Sequence, residues 1–161
     1  MIRLHLTPWI NGDDAKQGIV RKVGQVVYRI VNGRIQILLV RSFTPGYDIG
    51  YALPKGHLEK YESRREGSAR EVLEETGLKT KIIADLGTVG NGRNVTLQMF
   101  LGKYTEGGID GEGNALDHDF ENHIVKFFDW DWAYQNVRLR HRHWLDKALP
   151  LIKIREEKSN V

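Results

Sequence analysis

The chain of 161 residues contains no cysteine and only four prolines. Without cysteine it can form neither a disulfide nor a thiolate metal site. No uninterrupted apolar run is long enough to cross a bilayer, and residues 1–6 lack the basic start and long apolar core of a signal peptide. These absences predict a cytoplasmic protein without a membrane partner.

The positive charge is small overall but uneven along the chain. The net charge is +3, and a late cluster contains three arginines and two histidines. Its members are Arg138, Arg140, His141, Arg142 and His143. Such a cluster either steers a polyanionic ligand or forms a solvated helix face. No basic stripe with interleaved aromatic residues accompanies it, so we expect no groove for single-stranded nucleic acid.

The length fits one domain over residues 1–161, with an α/β fold built on a mixed sheet. Residues 1–18 carry turn and strand signals and are either an N-terminal extension or an edge strand. Two β-branched runs follow at 23–31 and 35–40, and Asn32-Gly33 between them is typical of a type I′ hairpin turn.

The later elements follow from caps and periodicity. Ser63 and Glu66 form a capping box at the start of a helix, and Gly77 occupies its C-terminal glycine position. Three more strands are predicted, and a glycine-rich acidic loop precedes the last of them. Their ranges are 81–89, 95–104 and 123–130, with the loop at 107–119. A closing helix is expected over residues 132–149, ended by Pro150.

The helix after Ser63 concentrates carboxylates. At 100° per residue, Glu71, Glu74 and Glu75 cover about a third of its circumference. Like charges three or four residues apart repel each other, and a hard divalent cation that prefers carboxylate oxygen relieves the repulsion. The neighbouring face is expected to dock on the sheet through Ala69, Val72, Leu73 and Thr76. The alternative is a solvated acidic face with ion pairs between successive turns.

The residues around these glutamates favour the metal site. The spacing G-x5-E-x7-R-E-U-x-E-E-x-G-U, with U aliphatic, is met at every position from Gly56 to Leu78. This is the Nudix box, and the chain resembles a Nudix hydrolase over most of its length. The resemblance implies an α/β/α sandwich with a mixed sheet. It also implies hydrolysis of a nucleoside diphosphate linked to another group, with Mg²⁺ or Mn²⁺ as cofactor.

The resemblance also implies roles for single residues. The metal ligands would be the side chains of Glu71, Glu74 and Glu75 and the backbone carbonyl of Lys55. Arg70 and Glu62 would orient these ligands through an ion pair. The general base of the family is either a box glutamate or an acid from a later loop, which here offers Glu112, Asp117, Asp119 and Glu121. We favour Glu121.

The flank of the box bears on the substrate. Residues 53–57, L-P-K-G-H, are similar to the corresponding segment of diadenosine-polyphosphate hydrolases, and Lys55 and His57 there could contact phosphates. Arg41 is a further candidate for a phosphate contact, and a surface arginine that caps a strand is the alternative. Tyr47 and Tyr51, in the loop before the box, are the candidates for stacking on a base.

One position departs from the family pattern. Many Nudix proteins have Pro-Gly just before the first box glutamate, where this chain has Lys60-Tyr61. The departure changes the turn that leads into the helix and leaves the metal ligands intact.

The sequence therefore predicts a metal-dependent hydrolase with a small nucleotide as substrate, and dinucleoside polyphosphates as the favoured class. Nucleotide sugars, nucleoside triphosphates and RNA 5′ ends are alternatives, and the last is the one nucleic acid partner we consider. A second alternative is a nucleotide-binding Nudix module without catalysis. The sequence does not predict an oligomeric state.

Overall fold

A computed structural model describes residues 18–43, 45–46, 48–90, 93–118 and 123–159. Within these ranges the chain forms six strands and three helices. The strands are β1 (Val20–Val31), β2 (Arg34–Ser42), β3 (Lys55–His57), β4 (Lys79–Gly90), β5 (Val95–Glu106) and β6 (His123–Asp129). The helices are α1 (Arg64–Thr76), α2 (Trp130–Asn136) and α3 (Leu139–Ser159). The prediction for residues 1–17 lies outside the described residues.

The six strands form one mixed sheet, as predicted. Its order is β4-β5-β1-β2-β6, and β3 pairs with the first part of β1. β5 and β1 run parallel, and the other pairs are antiparallel. Asn32 and Gly33 both have positive φ, 51° and 76°, which confirms the predicted hairpin turn between β1 and β2.

Alternate residues of the central strands pack against helices on opposite sides. Val26 and Ile37 belong to the apolar cluster that includes Trp144 of α3. Their neighbours Val27 and Leu38 belong to a second cluster, which includes Val72 of α1. Because successive strand residues point to opposite faces, α1 covers one face and α3 the other. The predicted α/β/α sandwich is confirmed.

The caps of α1 are those predicted from its sequence. The Ser63 side chain accepts a hydrogen bond from the backbone N–H of Glu66 at 3.1 Å. Gly77 ends the helix with a φ of 74°.

The face of α1 that contacts the sheet differs from the prediction at one residue. Val72 and Thr76 are buried and Ala69 is half-buried, but Leu73 is 44% exposed, so its predicted docking on the sheet is wrong. Leu73 lies about 100° around the helix from Val72, outside the face that contacts the sheet.

The closing helix differs from the prediction in two ways. It is divided at Val137, which is extended and buried, and it continues through Pro150 to Ser159. Proline costs about 3 kcal/mol inside a helix, but Ala148 and Ile152 on either side of it are buried against the sheet. Burial of a side chain such as Ile152 contributes about 2 kcal/mol, which offsets much of the cost of the proline in a helix that continues beyond it.

None of the described helices is both long enough and apolar enough to cross a membrane.

Candidate active site

β3 places the first glycine of the box against α1. Gly56 is the middle residue of β3 and pairs with Val23. A Cβ atom at Gly56 would overlap the carboxylate of Glu71. That side chain is only 3% exposed, so a glycine is required for the carboxylate to lie against the strand.

Arg70 is the centre of an ion-pair network on α1. Its Nε and Nη2 donate to the two carboxylate oxygens of Glu62, at 3.0 and 2.8 Å. Its Nη1 donates to Glu71 at 2.9 Å and to Glu74 at 3.1 Å. Nη2 also donates to the backbone carbonyl of His57 at 2.9 Å. Such a forked guanidinium contact fixes both partners, so Arg70 links two box carboxylates to the segment before the helix.

The pair formed by Arg70 and Glu62 is ionised at neutral pH. Burial alone would lower the pKa of Arg70, but its hydrogen bond to Glu62 and the charge of Glu71 outweigh burial and raise it. Burial alone would raise the pKa of Glu62, but hydrogen bonds from Arg70 and from the backbone N–H of Glu59 lower it. The charges therefore persist across the physiological pH range.

Gly67 makes room for Glu62. A Cβ atom at Gly67 would lie 2.7 Å from Oε1 of Glu62 and 2.8 Å from Cδ1 of Leu58. A glycine inside a helix costs about 1 kcal/mol relative to alanine. Here the missing side chain lets the Glu62 carboxylate approach the helix closely enough to meet Arg70.

Lys55 lies between a box glutamate and other cations. Its Cβ approaches β1 so closely that a Cβ atom at Gly24 would lie 2.6 Å away. Burial lowers the pKa of the Lys55 ammonium, and the charge of Lys22 lowers it further, while the charge of Glu75 opposes both. The structure thus brings Lys55 and Glu75, two of the predicted site residues, within electrostatic range of each other.

His57 ends β3 and pairs with Lys22 of β1. Because residues two apart in a strand share a face, His57 and Lys55 point to the same side of the sheet. The backbone carbonyl of His57 accepts the hydrogen bond from Nη2 of Arg70, so the backbone of His57 is part of the ion-pair network.

Arg41 already has partners in the described residues. Its Nη2 lies 2.6 Å from Oδ2 of Asp48. Its guanidinium carbon lies over the rings of Phe43 and Tyr51, at 4.8 and 5.0 Å from the ring centres. The ring of Tyr51 also meets Trp132 edge-on, at 5.0 Å between ring centres. Arg41 and Tyr51 therefore lie together, in a cluster of aromatic rings. Tyr47 lies outside the described residues.

The sequence did not predict that the start of α3 reaches this site. The backbone N–H of Arg138 donates to the carbonyl of Tyr51 at 2.9 Å. Nδ1 of His141 accepts a hydrogen bond from the backbone N–H of Leu53 at 3.1 Å. Burial, and then the charges of Lys55, Arg138 and Arg140, lower the pKa of His141 to about 4. The cationic cluster late in the chain was evident in the sequence. Its position next to the site, however, depends on the extended residue Val137, which separates α2 from α3.

The later acidic loop packs against the end of α1. A Cβ atom at Gly77 would lie 2.9 Å from the backbone oxygen of Asp117. Asp110 accepts hydrogen bonds from the backbone N–H groups of Glu112 and Asn114, both at 2.9 Å. The loop is therefore held by its own hydrogen bonds next to the box helix. Glu121, the favoured general base, lies outside the described residues.

The donor set suits a hard cation in its chemistry, because α1 carries three carboxylates at Glu71, Glu74 and Glu75. Among the described residues, however, no group of three or more histidine, cysteine, aspartate or glutamate side chains is placed so that it could hold a metal ion. Glu71 and Glu74 share the guanidinium of Arg70 instead. The donors fit Mg²⁺ or Mn²⁺ in kind, and a metal has to compete with Arg70 for two of them.

The family model described as NUDIX domain matches residues 20–151, which include the whole sheet and most of α3. The chain belongs to the Nudix family. Among curated proteins, the Nudix chain is similar to the putative mutator protein MutT4 of Mycobacterium tuberculosis (strain CDC 1551 / Oshkosh), with 35% identity over 69 residues. The matched segment covers 38% of this chain and 28% of that relative.

Solved structures share the Nudix fold over most of the chain. The C. elegans Ap4A hydrolase binary complex superposes with a TM-score of 0.64 and 22% identity, over 84% of this chain and 98% of that one. The NUDIX domain of Shewanella oneidensis NrtR, complexed with ADP ribose, gives a TM-score of 0.67 and 17% identity, over 94% and 99% of the two chains. At these identities the likeness establishes the fold.

Proposed function

We propose that this protein is a Nudix pyrophosphohydrolase that cleaves a pyrophosphate linkage in a nucleoside diphosphate derivative. The observation that carries the proposal is the arrangement on α1, where Arg70 joins Glu71 and Glu74 and where Glu75 lies within range of Lys55. A phosphate chain needs both cationic side chains to bind it and carboxylates to recruit a divalent cation. This helix and β3 supply both.

In this proposal the side chains of Glu71, Glu74 and Glu75 and the carbonyl of Lys55 would hold Mg²⁺ or Mn²⁺. When bound, the metal neutralises phosphate charge and makes water a better nucleophile at the P–O–P linkage. Arg70 and Glu62 keep the carboxylates in position through their ion pair. Glu121 is proposed as the general base that takes a proton from the attacking water.

Dinucleoside polyphosphates of the diadenosine tetraphosphate type are the favoured substrates. The L-P-K-G-H sequence at residues 53–57 supports this choice, with Lys55 and His57 as phosphate contacts. Arg41 is proposed as a further phosphate contact, and Tyr47 and Tyr51 are proposed to stack on a base, because aromatic rings provide a stacking surface. The Ap4A hydrolase of C. elegans shares the fold, and the flank of the box carries the substrate assignment.

A panel of substrates tests the proposal. Diadenosine tetraphosphate, ADP-ribose, a nucleoside triphosphate and a 5′-triphosphorylated RNA are compared by kcat/KM at fixed Mg²⁺ and ionic strength. We expect diadenosine tetraphosphate to have the highest value and all turnover to stop when the metal is chelated. A kcat/KM for diadenosine tetraphosphate far below the values of the other substrates would contradict dinucleoside polyphosphates as the favoured substrate class. Turnover without metal would contradict the mechanism.

The alternative of a binding module without catalysis predicts a different result. Such a module would bind a nucleotide tightly in the presence of Mg²⁺ or Mn²⁺ and release no product. The intact set of box carboxylates supports the enzyme instead.

A further inference from the structure

Four cationic side chains lie near one another on the side of the sheet that faces α3. They come from β1, β3, the residue before α3 and the first turn of α3. We name them the cationic rim: Lys22, Lys55, Arg138 and Arg140.

The register of β1 and β3 places the first two members on one face. Lys22 pairs with His57, and Gly24 pairs with Lys55. Paired residues of antiparallel strands point to the same side, so Lys22 and Lys55 share a face. This is the α3 side, because Val26, two residues beyond Gly24, packs in the same cluster as Trp144 of α3.

Two hydrogen bonds bring the other members to that face. The backbone N–H of Arg138 bonds to the carbonyl of Tyr51, and His141 accepts from the backbone N–H of Leu53. Tyr51 and Leu53, the partners in these two hydrogen bonds, lie within four residues of Lys55 in the chain. The charges of Arg138 and Arg140 accordingly lower the pKa of Lys55, after burial and the charge of Lys22.

The rim is not neutralised by the described part of the protein. Within the described residues, Lys22, Arg138 and Arg140 form no ion pair with a carboxylate. Glu75 is the acidic group whose charge acts on Lys55. Clustered like charges repel one another, and a bound polyanion removes that repulsion.

The position of the rim relative to the carboxylates suggests what it binds. Glu71 lies against Gly56 on the α1 side of β3, whereas Lys55, the next residue of the strand, points to the α3 side. A phosphate chain bound at the carboxylates would therefore have to extend past β3 to reach the rim, and each added phosphate lengthens the chain.

We propose that the cationic rim binds the phosphates beyond the cleaved linkage and so selects substrates with three or more phosphates in a row. The inference rests on the proposed function for its link to catalysis. The binding of a phosphate chain to Arg138 and Arg140 can be measured without any turnover.

The probe is inorganic tripolyphosphate, titrated by calorimetry into the full chain in metal-free buffer of constant ionic strength. The double variant Arg138→Gln/Arg140→Gln is compared with the wild type and with Lys153→Gln, which removes an exposed charge further along α3. Because the double variant loses two charge-assisted contacts to phosphate, we expect its Kd to rise at least about tenfold. Lys153→Gln should stay within about twofold, since the charge of a distant surface group is screened.

Circular dichroism and thermal melting establish that each variant is folded. Arg138→Lys/Arg140→Lys keeps the charges and should restore most of the affinity, which a purely structural role would not predict. Failure of the wild type to bind tripolyphosphate, or equal binding by the double variant, would overturn the inference.

The link to catalysis has its own readout. In the double variant, kcat/KM for diadenosine tetraphosphate should fall about tenfold or more, while the value for ADP-ribose, which has two phosphates, should change by less than about threefold. Tripolyphosphate binding that depends on the rim, in a protein that hydrolyses none of the four substrates of the panel, would refute the proposed function and leave the rim as a polyphosphate-binding site. Equal losses for both substrates would contradict the selection of longer phosphate chains.

Discussion

The carboxylate of Glu71 occupies the space that a side chain at Gly56 would need. This contact explains why the box begins with a glycine fifteen positions before Glu71. The glycine belongs to a strand and the glutamate to a helix, and the two elements can pack closely only where one of them has no side chain. The position of the buried carboxylate is therefore set by sheet packing as well as by the helix.

Gly56→Ala should displace Glu71 and reduce activity at least about tenfold, because displacement of a positioned catalytic group by 1 Å can cost about a hundredfold. The measurement is kcat/KM for diadenosine tetraphosphate, with the Mg²⁺ concentration for half-maximal rate as a second readout. Gly111→Ala is the matched control, since a Cβ there meets nothing within 4 Å. Equal activity of the two variants would show that the Gly56 contact is unimportant.

Arg70→Met should lower the free energy of unfolding by about 3–5 kcal/mol, because it leaves the partly buried carboxylates of Glu62 and Glu71 without their cation. Denaturant unfolding measures this change. Lys79→Met, which breaks the exposed contact with Glu106 at 3.8 Å, serves as the control and should change stability by less than about 1 kcal/mol. A similar small effect in both variants would contradict the central role of Arg70.

Tyr61 occupies a strained backbone conformation in the position where many relatives have glycine. Its φ is 63° and its side chain is almost fully exposed. A left-handed conformation costs about 1–2 kcal/mol for a residue with a side chain. We expect Tyr61→Gly to be more stable than Tyr61→Ala by about 1 kcal/mol in thermal unfolding, because both lose the ring and only the first loses the strain. A higher stability of Tyr61→Ala than of Tyr61→Gly would show that the turn is unstrained, because alanine restricts the unfolded chain more than glycine does.

His141 gives the protein a pH-dependent stability. An unfolded histidine titrates near 6.5, whereas native His141 stays neutral down to about 4 because burial and nearby cations lower its pKa. We therefore expect the unfolded state to bind more protons between these values, and the free energy of unfolding to fall by about 3 kcal/mol in total as the pH drops from about 6.5 to 4.

Denaturant unfolding of the wild type and of His141→Asn across this pH range measures the contribution. Asparagine offers a neutral oxygen as acceptor to Leu53 and does not titrate. The difference in stability between the two proteins should therefore change with pH, most steeply between 4 and 6.5. A difference that is constant with pH would contradict the assigned pKa shift.

The elements that the sequence predicted well are those determined by neighbouring residues. The hairpin turn depends on Asn32 and Gly33 themselves, and α1 is bounded by Ser63 and Gly77. These signals are local, since they arise from backbone conformation and capping hydrogen bonds within a few residues. The acidic face of α1 could also be predicted, because helical periodicity alone brings its glutamates together.

The features that the sequence missed depend on contacts between distant segments. Burial of Ile152, beyond the proline, offsets much of the helix-breaking cost of Pro150. The contact between His141 and Leu53 joins residues 88 positions apart, and it brings the late cations to the site. No local pattern around Arg138 distinguishes that arrangement from a solvated helix face.

The central claim is that the box glutamates support metal-dependent hydrolysis of a phosphate chain, and one rate comparison tests it most directly. Nucleotide release from diadenosine tetraphosphate is measured with Mg²⁺ for the wild type, Glu75→Gln and Glu66→Gln. Glu66 is an exposed residue in the first turn of the same helix, and its substitution removes one negative charge from that helix. We expect Glu75→Gln to abolish the release and Glu66→Gln to retain the wild-type rate. Release by Glu75→Gln at the wild-type rate would contradict the account.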